Sequence, residues 1–147
     1  MAQYCRRVHE ERTFLDLKAK VQEEIVINKE NLKKNLIFSL YYKQQFYSFK
    51  HPDNTALLKN KSVIMIHKIF KKDNVIYLKV SDYRDKRSIY SKPCDSKMLD
   101  TFEIDDVVIP GSERNIQLNT IQCKMVKFTF NFSKDEESKT FMVPMLH

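Results

Sequence analysis

Apolar residues in the middle of the chain recur with the period of two that is typical of β-strands. Two such runs, residues 63–70 and 75–80, flank the polar segment 71–74. Both faces of the first run are largely apolar, which favours a strand buried on both sides. The second run alternates and has one fully apolar face. The pattern predicts an antiparallel hairpin over residues 63–80 at the centre of the fold.

Other strand-forming segments lie on both sides of this hairpin, at residues 36–49, 98–109, 116–132 and 139–146. The first of them is interrupted near Gln44-Gln45, which predicts two strands. Pro110-Gly111 has the signature of a turn in which the glycine takes a positive φ. The predicted fold is therefore mainly β: a small, antiparallel, barrel-like domain over residues 36–147.

The N-terminal part of the chain has a different pattern. Apolar residues recur with the helical period over residues 7–26 and charged residues fill the other positions, which predicts an amphipathic helix. The apolar face carries Phe14, Leu17 and Val21. Residues 28–35 are polar and without period, so residues 1–35 are interpreted as a helix followed by a linker. The helix either packs on the β-domain or binds a protein subunit.

Composition and charge narrow the possible functions. The chain has one glycine in 147 residues, which excludes the glycine-rich loops that hold nucleotide phosphates. Its net charge is +7, and residues 61–100 carry ten Lys and Arg against five Asp and Glu. Such a basic centre favours polyanionic partners, including DNA, although a lysine-rich surface that serves only solubility has the same composition.

The chain offers little for catalysis or metal binding. Its three cysteines are far apart, its four histidines form no pair at ligand spacing, and no run approaches membrane-spanning length. Glu103, Asp105 and Asp106 form a local carboxylate cluster, which is more typical of a solvated strand edge than of acid–base catalysis. We expect an intracellular, non-enzymatic protein without cofactor, metal or membrane contact.

A long polar segment, residues 81–97, follows the central hairpin. Long ordered loops on rigid scaffolds are where binding residues concentrate. This one combines aromatic and cationic residues, namely Tyr83, Arg84, Lys86, Arg87 and Tyr90. It is the candidate binding loop.

The order of motifs resembles that of a bromo-adjacent homology (BAH) domain. The matching segments are IHKIF (66–70), KKDN (71–74), VIYLKVSDYR (75–84), LDTFEIDD (99–106) and IQLNTIQCKMVKF (116–128). The resemblance covers about half of the chain and LNTIQCKMV is its most persuasive part. It implies a nuclear, chromatin-associated module that binds a histone tail, a nucleosome or a subunit of a chromatin complex.

The resemblance also implies a binding site. In family members that read methylated lysine, aromatic rings hold the ammonium group by cation–π attraction. Tyr83 would supply one wall, Tyr90 or Phe102 another, and Asp105 a counter-charge. Asp82 stands where the family often has tryptophan, so docking on a histone tail or nucleosome is favoured over a methyl-lysine reader. Arg84, Lys86 and Arg87 would contact acidic or phosphate groups.

Two other functions are compatible with the sequence. One is a barrel like the OB-fold that binds single-stranded nucleic acid, with bases stacked on strand aromatics such as Tyr41, Tyr42 and Tyr47. The other is a scaffold subunit that joins a larger assembly through the N-terminal helix.

Overall fold

A computed structural model describes residues 24–131 and 138–145, and this part of the chain is mainly antiparallel β. The strands are β1 (Ile25–Asn31), β2 (Leu36–Tyr42), β3 (Gln45–Ser48), β4 (Thr55–Leu58), β5 (Val63–Lys72), β6 (Val75–Asp82), β7 (Phe102–Ile104), β8 (Arg114–Gln117), β9 (Ile121–Phe130) and β10 (Lys139–Pro144). Short 3-10 helices cover Leu32–Lys34, Ser96–Leu99 and Leu118–Thr120. The mainly β prediction is confirmed.

The central hairpin is confirmed and consists of β5 and β6. Its turn is shorter than predicted, because the strand pairing continues through Lys72 and leaves only Asp73 and Asn74 in the turn. These two residues have φ values of 51° and 63°, the positive angles that two-residue hairpin turns favour because they match the strand twist.

A β-bulge at His67 divides β5 into two halves, since the register shifts between Ile66 and Lys68. A bulge inserts one extra residue and so exchanges the two faces of a strand. Ile66 before it and Ile69 after it are both buried, whereas Lys68 is exposed. Lys68 would otherwise share the face of Ile66 and point into the core.

The sheet is organised around β5. One edge of β5 pairs with β6, and the opposite edge pairs with β4 through its first half and with β2 near Ile69. The hydrogen-bonded path runs β1-β2-β5-β4-β9-β10-β7, with β3 beside β2 and β8 beside β6.

The path does not close among the described strands, so the expected barrel is an open sheet. Strand β7 has three residues and pairs with β10 on one side. Its other side is occupied by the binding loop, through the antiparallel bridge of Arg87 with Glu103. The loop therefore takes the position where a closing strand would have to pair.

Two buried clusters form the core. The larger one includes residues of β2, β3, β4, β5, β6 and β9, among them Leu40, Ile66 and Leu78. The smaller one contains Leu57, Val63, Tyr83, Phe102, Ile104, Met125 and Met142. The smaller cluster lies under the start of the binding loop, because Tyr83 directly follows β6.

The N-terminal prediction has a mixed outcome. Most of the predicted helix, residues 7–23, lies outside the described residues. Residues 25–31, assigned to the end of the helix and to the linker, form β1 and pair with β2. Five of the seven residues of β1 are exposed and none is buried, as expected at the edge of a sheet. An exposed strand has no alternation of buried and exposed residues, and for this reason its sequence resembles a linker.

The segment between β6 and β9 contains less strand than predicted. Of residues 98–109, Phe102–Ile104 form a strand, while Ser96–Leu99 form a 3-10 helix that begins after Asp95. The side chain of Asp95 accepts a hydrogen bond from the Lys97 amide, which favours a helical start over an extended one. Gly111 has a φ of 77°, which confirms the predicted turn.

A polar network joins β3, β9 and the C-terminal segment. The Gln45 side chain accepts hydrogen bonds from the Tyr47 hydroxyl and the Lys124 amide, and it donates one to the Met145 carbonyl at 2.8 Å. Lys124 is buried, and its ammonium group lies 2.5 Å from Asp53. A buried charge requires such a partner.

We predict that Ile69→Ala lowers the free energy of unfolding by roughly 2–5 kcal/mol, because Ile69 is fully buried in β5 and the change leaves a cavity. Lys68→Ala, the neighbouring exposed position, should cost less than about 1 kcal/mol. Urea unfolding of both variants tests this. Similar losses for the two would contradict the assignment of faces on β5.

Candidate functional site

Two of the predicted cage residues lie in the smaller core cluster. Tyr83 is 5% exposed and Phe102 is 3% exposed. The ammonium group of Lys127 lies 5.8 Å from the centre of the Tyr83 ring, and that of Lys86 lies 5.1 Å from the centre of the Phe102 ring. The chain's own lysines thus make the cation–π contacts that the resemblance assigned to a bound ligand.

Tyr83 and the neighbouring Lys127 influence each other's pKa. Burial raises the pKa of the Tyr83 phenol, and the positive charge of Lys127 opposes part of that rise. Burial lowers the pKa of Lys127, but hydrogen bonding to Asp106 and interaction with Tyr83 outweigh it, so this pKa is raised overall. Lys127 is therefore a fixed positive charge, held 2.8 Å from Asp106.

Arg87 and Asp105 are paired with each other. The Arg87 guanidinium lies 3.1 Å from Asp105 and 3.2 Å from Glu103. These three residues and Asp106 line an open cleft of about 740 Å³ beside β7 and β10. All three carboxylates have a cationic partner, so little free negative charge faces the opening.

The remaining predicted site residues, Lys86, Arg84 and Tyr90, differ in how accessible they are to a partner. Lys86 donates a hydrogen bond to the Lys61 carbonyl at 2.5 Å, which ties its side chain to the loop after β4. Arg84 is exposed and has no ion-pair partner among the described residues. Tyr90 is 40% exposed. Of the seven predicted site residues, Arg84 and Tyr90 are the ones available to a partner.

A basic surface that we did not predict lies on the outer face of the central hairpin. We call it the hairpin surface: Lys68, Phe70, Lys72, Tyr77 and Lys79. The rings of Phe70 and Tyr77 are stacked across the strands, with centres 5.7 Å apart, and Lys68 lies 5.5 Å from the centre of the Phe70 ring. Both rings are half-buried, so one side remains accessible.

More lysines lie at the end of the hairpin, where two turns meet. The Lys71 amide donates a hydrogen bond to the Asn35 carbonyl, which places the turn after β1 beside the end of β5. We call Lys33, Lys34, Lys71 and Lys72 the lysine tip. None of the four has a carboxylate within ion-pair distance in the described part of the chain. The sequence signal for this surface is the pair of Lys-Lys dipeptides, one in the turn after β1 and one at the end of β5.

The tyrosines proposed to stack bases are only partly available. Tyr42 and Tyr47 are buried in the larger core cluster, whereas Tyr41 is 43% exposed. Phenylalanines are accessible instead, in a groove of about 560 Å³ on the face of β2 and β3. We call it the aromatic groove, and its main lining residues are Lys29, Phe38, Phe46, Phe49, Lys50 and His51.

Within residues 24–131 and 138–145, no three His, Cys, Asp or Glu side chains converge in the manner of metal ligands. The described helices are all too short to span a membrane. Cys94 and Cys123 are free thiols, and burial, followed by the charge of Asp100, raises the pKa of Cys123.

Comparison with known proteins gives one match. The sequence model of the family described as Domain of unknown function (DUF8592) matches residues 20–145. No curated protein and no solved structure matches the chain.

We predict that Tyr83→Phe changes the free energy of unfolding by less than about 1 kcal/mol at neutral pH, because the Tyr83 hydroxyl makes no hydrogen bond of standard geometry in the described residues, although Thr55 and Lys127 lie close enough to lower its pKa in part. The pKa of Tyr83 is raised on folding, so its contribution to stability is complete below the pKa of an unfolded tyrosine, about 10, and is lost as the pH rises through the folded pKa. The variant should therefore become the more stable protein above about pH 10.

Urea unfolding at several pH values measures this difference, with Tyr77→Phe on the hairpin surface as the control. A loss of about 2 kcal/mol or more for Tyr83→Phe at neutral pH would show that the hydroxyl makes a hydrogen bond in the folded protein.

Proposed function

The chain belongs to the family described as Domain of unknown function (DUF8592), and we propose that it is a non-enzymatic, nuclear interaction module that docks on nucleosomes. The observation that carries this proposal is the lysine tip, next to the hairpin surface. It presents the exposed Lys33 and Lys34 from the turn after β1, and the exposed Lys72 and half-buried Lys71 from the end of β5, without carboxylate partners among the described residues. The resemblance to BAH domains in residues 63–128 supports the same class of partner.

Unpaired lysines on a rigid sheet suit a polyanion. Each lysine that approaches a DNA phosphate releases a condensed counterion, which makes the affinity fall as salt increases. The lysine tip also has a fixed shape, since the backbone bond between Lys71 and Asn35 holds the two turns together. Nucleosomal DNA presents phosphates along a surface wide enough to contact both turns.

The charge around the binding loop favours DNA over a basic histone tail as the main contact. A tail rich in lysine and arginine needs free carboxylates, yet Glu103 and Asp105 are held by Arg87, and Asp106 is held by Lys127. Breaking these ion pairs would offset much of the free energy that the contacts with a histone tail provide. Arg84 and Tyr90 remain exposed, and we assign them a secondary contact with the protein surface of the nucleosome.

We predict that replacing two charges of the lysine tip, Lys33→Gln with Lys34→Gln, weakens nucleosome binding about ten-fold at moderate salt. The slope of log affinity against log salt should fall by about 0.9 for each phosphate that the variant no longer neutralises. The matched control is Lys59→Gln with Lys97→Gln, which removes two exposed lysines elsewhere. Binding is measured by fluorescence anisotropy with reconstituted nucleosomes across a salt series.

Free duplex DNA and histone peptides complete the experiment. Equal binding of nucleosomes by the tip variant, the control variant and the natural chain would refute the role of the lysine tip. Histone-peptide binding that is lost in Arg84→Ala but kept in the tip variant would transfer the site to the binding loop. No binding to any of these would refute the proposed function.

A further inference from the structure

We propose that the aromatic groove binds single-stranded nucleic acid, with bases on its phenylalanines and phosphates on its lysines. The groove lies on β2, β3 and the turn after β3, with Lys29 of β1 at its edge, and it shares no residue with the lysine tip, so the two sites can be tested separately. A ligand for it must combine flat rings with negative charge. Single-stranded nucleic acid has both in every unit.

The phenylalanines provide the stacking surface. Phe46 lies on β3, and Phe38 and Phe49 contact each other with ring centres 6.4 Å apart. All three are half-buried, so each ring is held by its neighbours while part of it remains accessible to a ligand. Every base has a π-face, and stacking on such rings therefore requires no particular sequence.

Polar side chains surround the rings on two sides, and the cations among them are Lys29 and Lys50. Lys29 comes from β1, at a point where two register shifts interrupt its pairing with β2, and bulges of this kind redirect side chains. Lys50 and His51 come from the turn after β3, and the Lys50 ammonium lies 5.7 Å from the centre of the Phe49 ring. All three are exposed and none has an ion-pair partner among the described residues.

The acidic residue that lines the groove does not oppose an anion. Asp53 is bound to the buried ammonium group of Lys124 at 2.5 Å. The Lys124 ammonium also lies 5.8 Å from the centre of the Phe46 ring, beneath the groove. The pair is neutral overall, so the exposed Lys29 and Lys50 determine the charge that a ligand meets.

The test uses the full chain with fluorescent oligo(dT) and oligo(rU), which separate DNA from RNA, and an acidic peptide containing tyrosines as the competing ligand class. Phe49→Leu keeps an apolar side chain but removes the ring, and we expect about a ten-fold loss of oligonucleotide affinity. Lys29→Gln and Lys50→Gln should each lower the salt slope by about 0.7.

Phe128→Leu, an exposed ring on β9, and Lys59→Gln are the matched controls and should bind like the natural chain. Thermal unfolding shows whether Phe49→Leu is folded, and the two lysine variants test the site without changing buried residues. Unchanged oligonucleotide binding in these three groove variants would overturn the proposal. So would binding of the acidic peptide without binding of either oligonucleotide.

The two proposals can fail separately. Loss of oligonucleotide binding in Lys33→Gln with Lys34→Gln, but not in the groove variants, would place single strands on the lysine tip and refute the groove. Nucleosome binding that persists in the groove variants would leave docking by the lysine tip intact.

Discussion

The bulge in β5 is the feature on which the arrangement of this protein depends. Strand β5 connects β6 on one edge to β4 and β2 on the other, so any change in its register would displace its neighbours on both edges. The extra residue at His67 lets Ile66 and Ile69 both face the core. It also turns Lys68 and Phe70 outward, and in this way the same irregularity completes the core and creates the hairpin surface.

Tertiary contacts decide which charged residues can bind a partner. The binding loop contains several cations, but Lys86 and Arg87 are held by contacts with residues distant in sequence. The side chains of the lysine tip, by contrast, are not held by ion pairs in the described part of the chain. Its lysines come from the turn after β1 and from the end of β5, which a backbone hydrogen bond joins, and they have no acidic partner among the described residues. Positive charge is thus available away from the loop where the residue pattern had placed it.

The two proposed sites differ in their physical basis. The lysine tip depends on exposed charge, and its binding should be sensitive to salt whatever the sequence of the nucleic acid. The aromatic groove depends on half-buried rings, with Lys29 and Lys50 at its margins. Binding at both sites should weaken with salt, but only the groove should lose affinity when an aromatic ring is removed, so ring removal separates the two sites.

Short-range patterns along the chain account for most of the local structure: the central hairpin, the division of residues 36–49 into two strands, the final strand and the positive φ of Gly111. These depend on alternation and turn chemistry, which act over a few residues. The open sheet, the burial of Tyr83 and Phe102, and the pairing of Arg87 were decided only in three dimensions. They depend on contacts between distant segments, and a bulge of one residue exchanges the faces that alternation assigns.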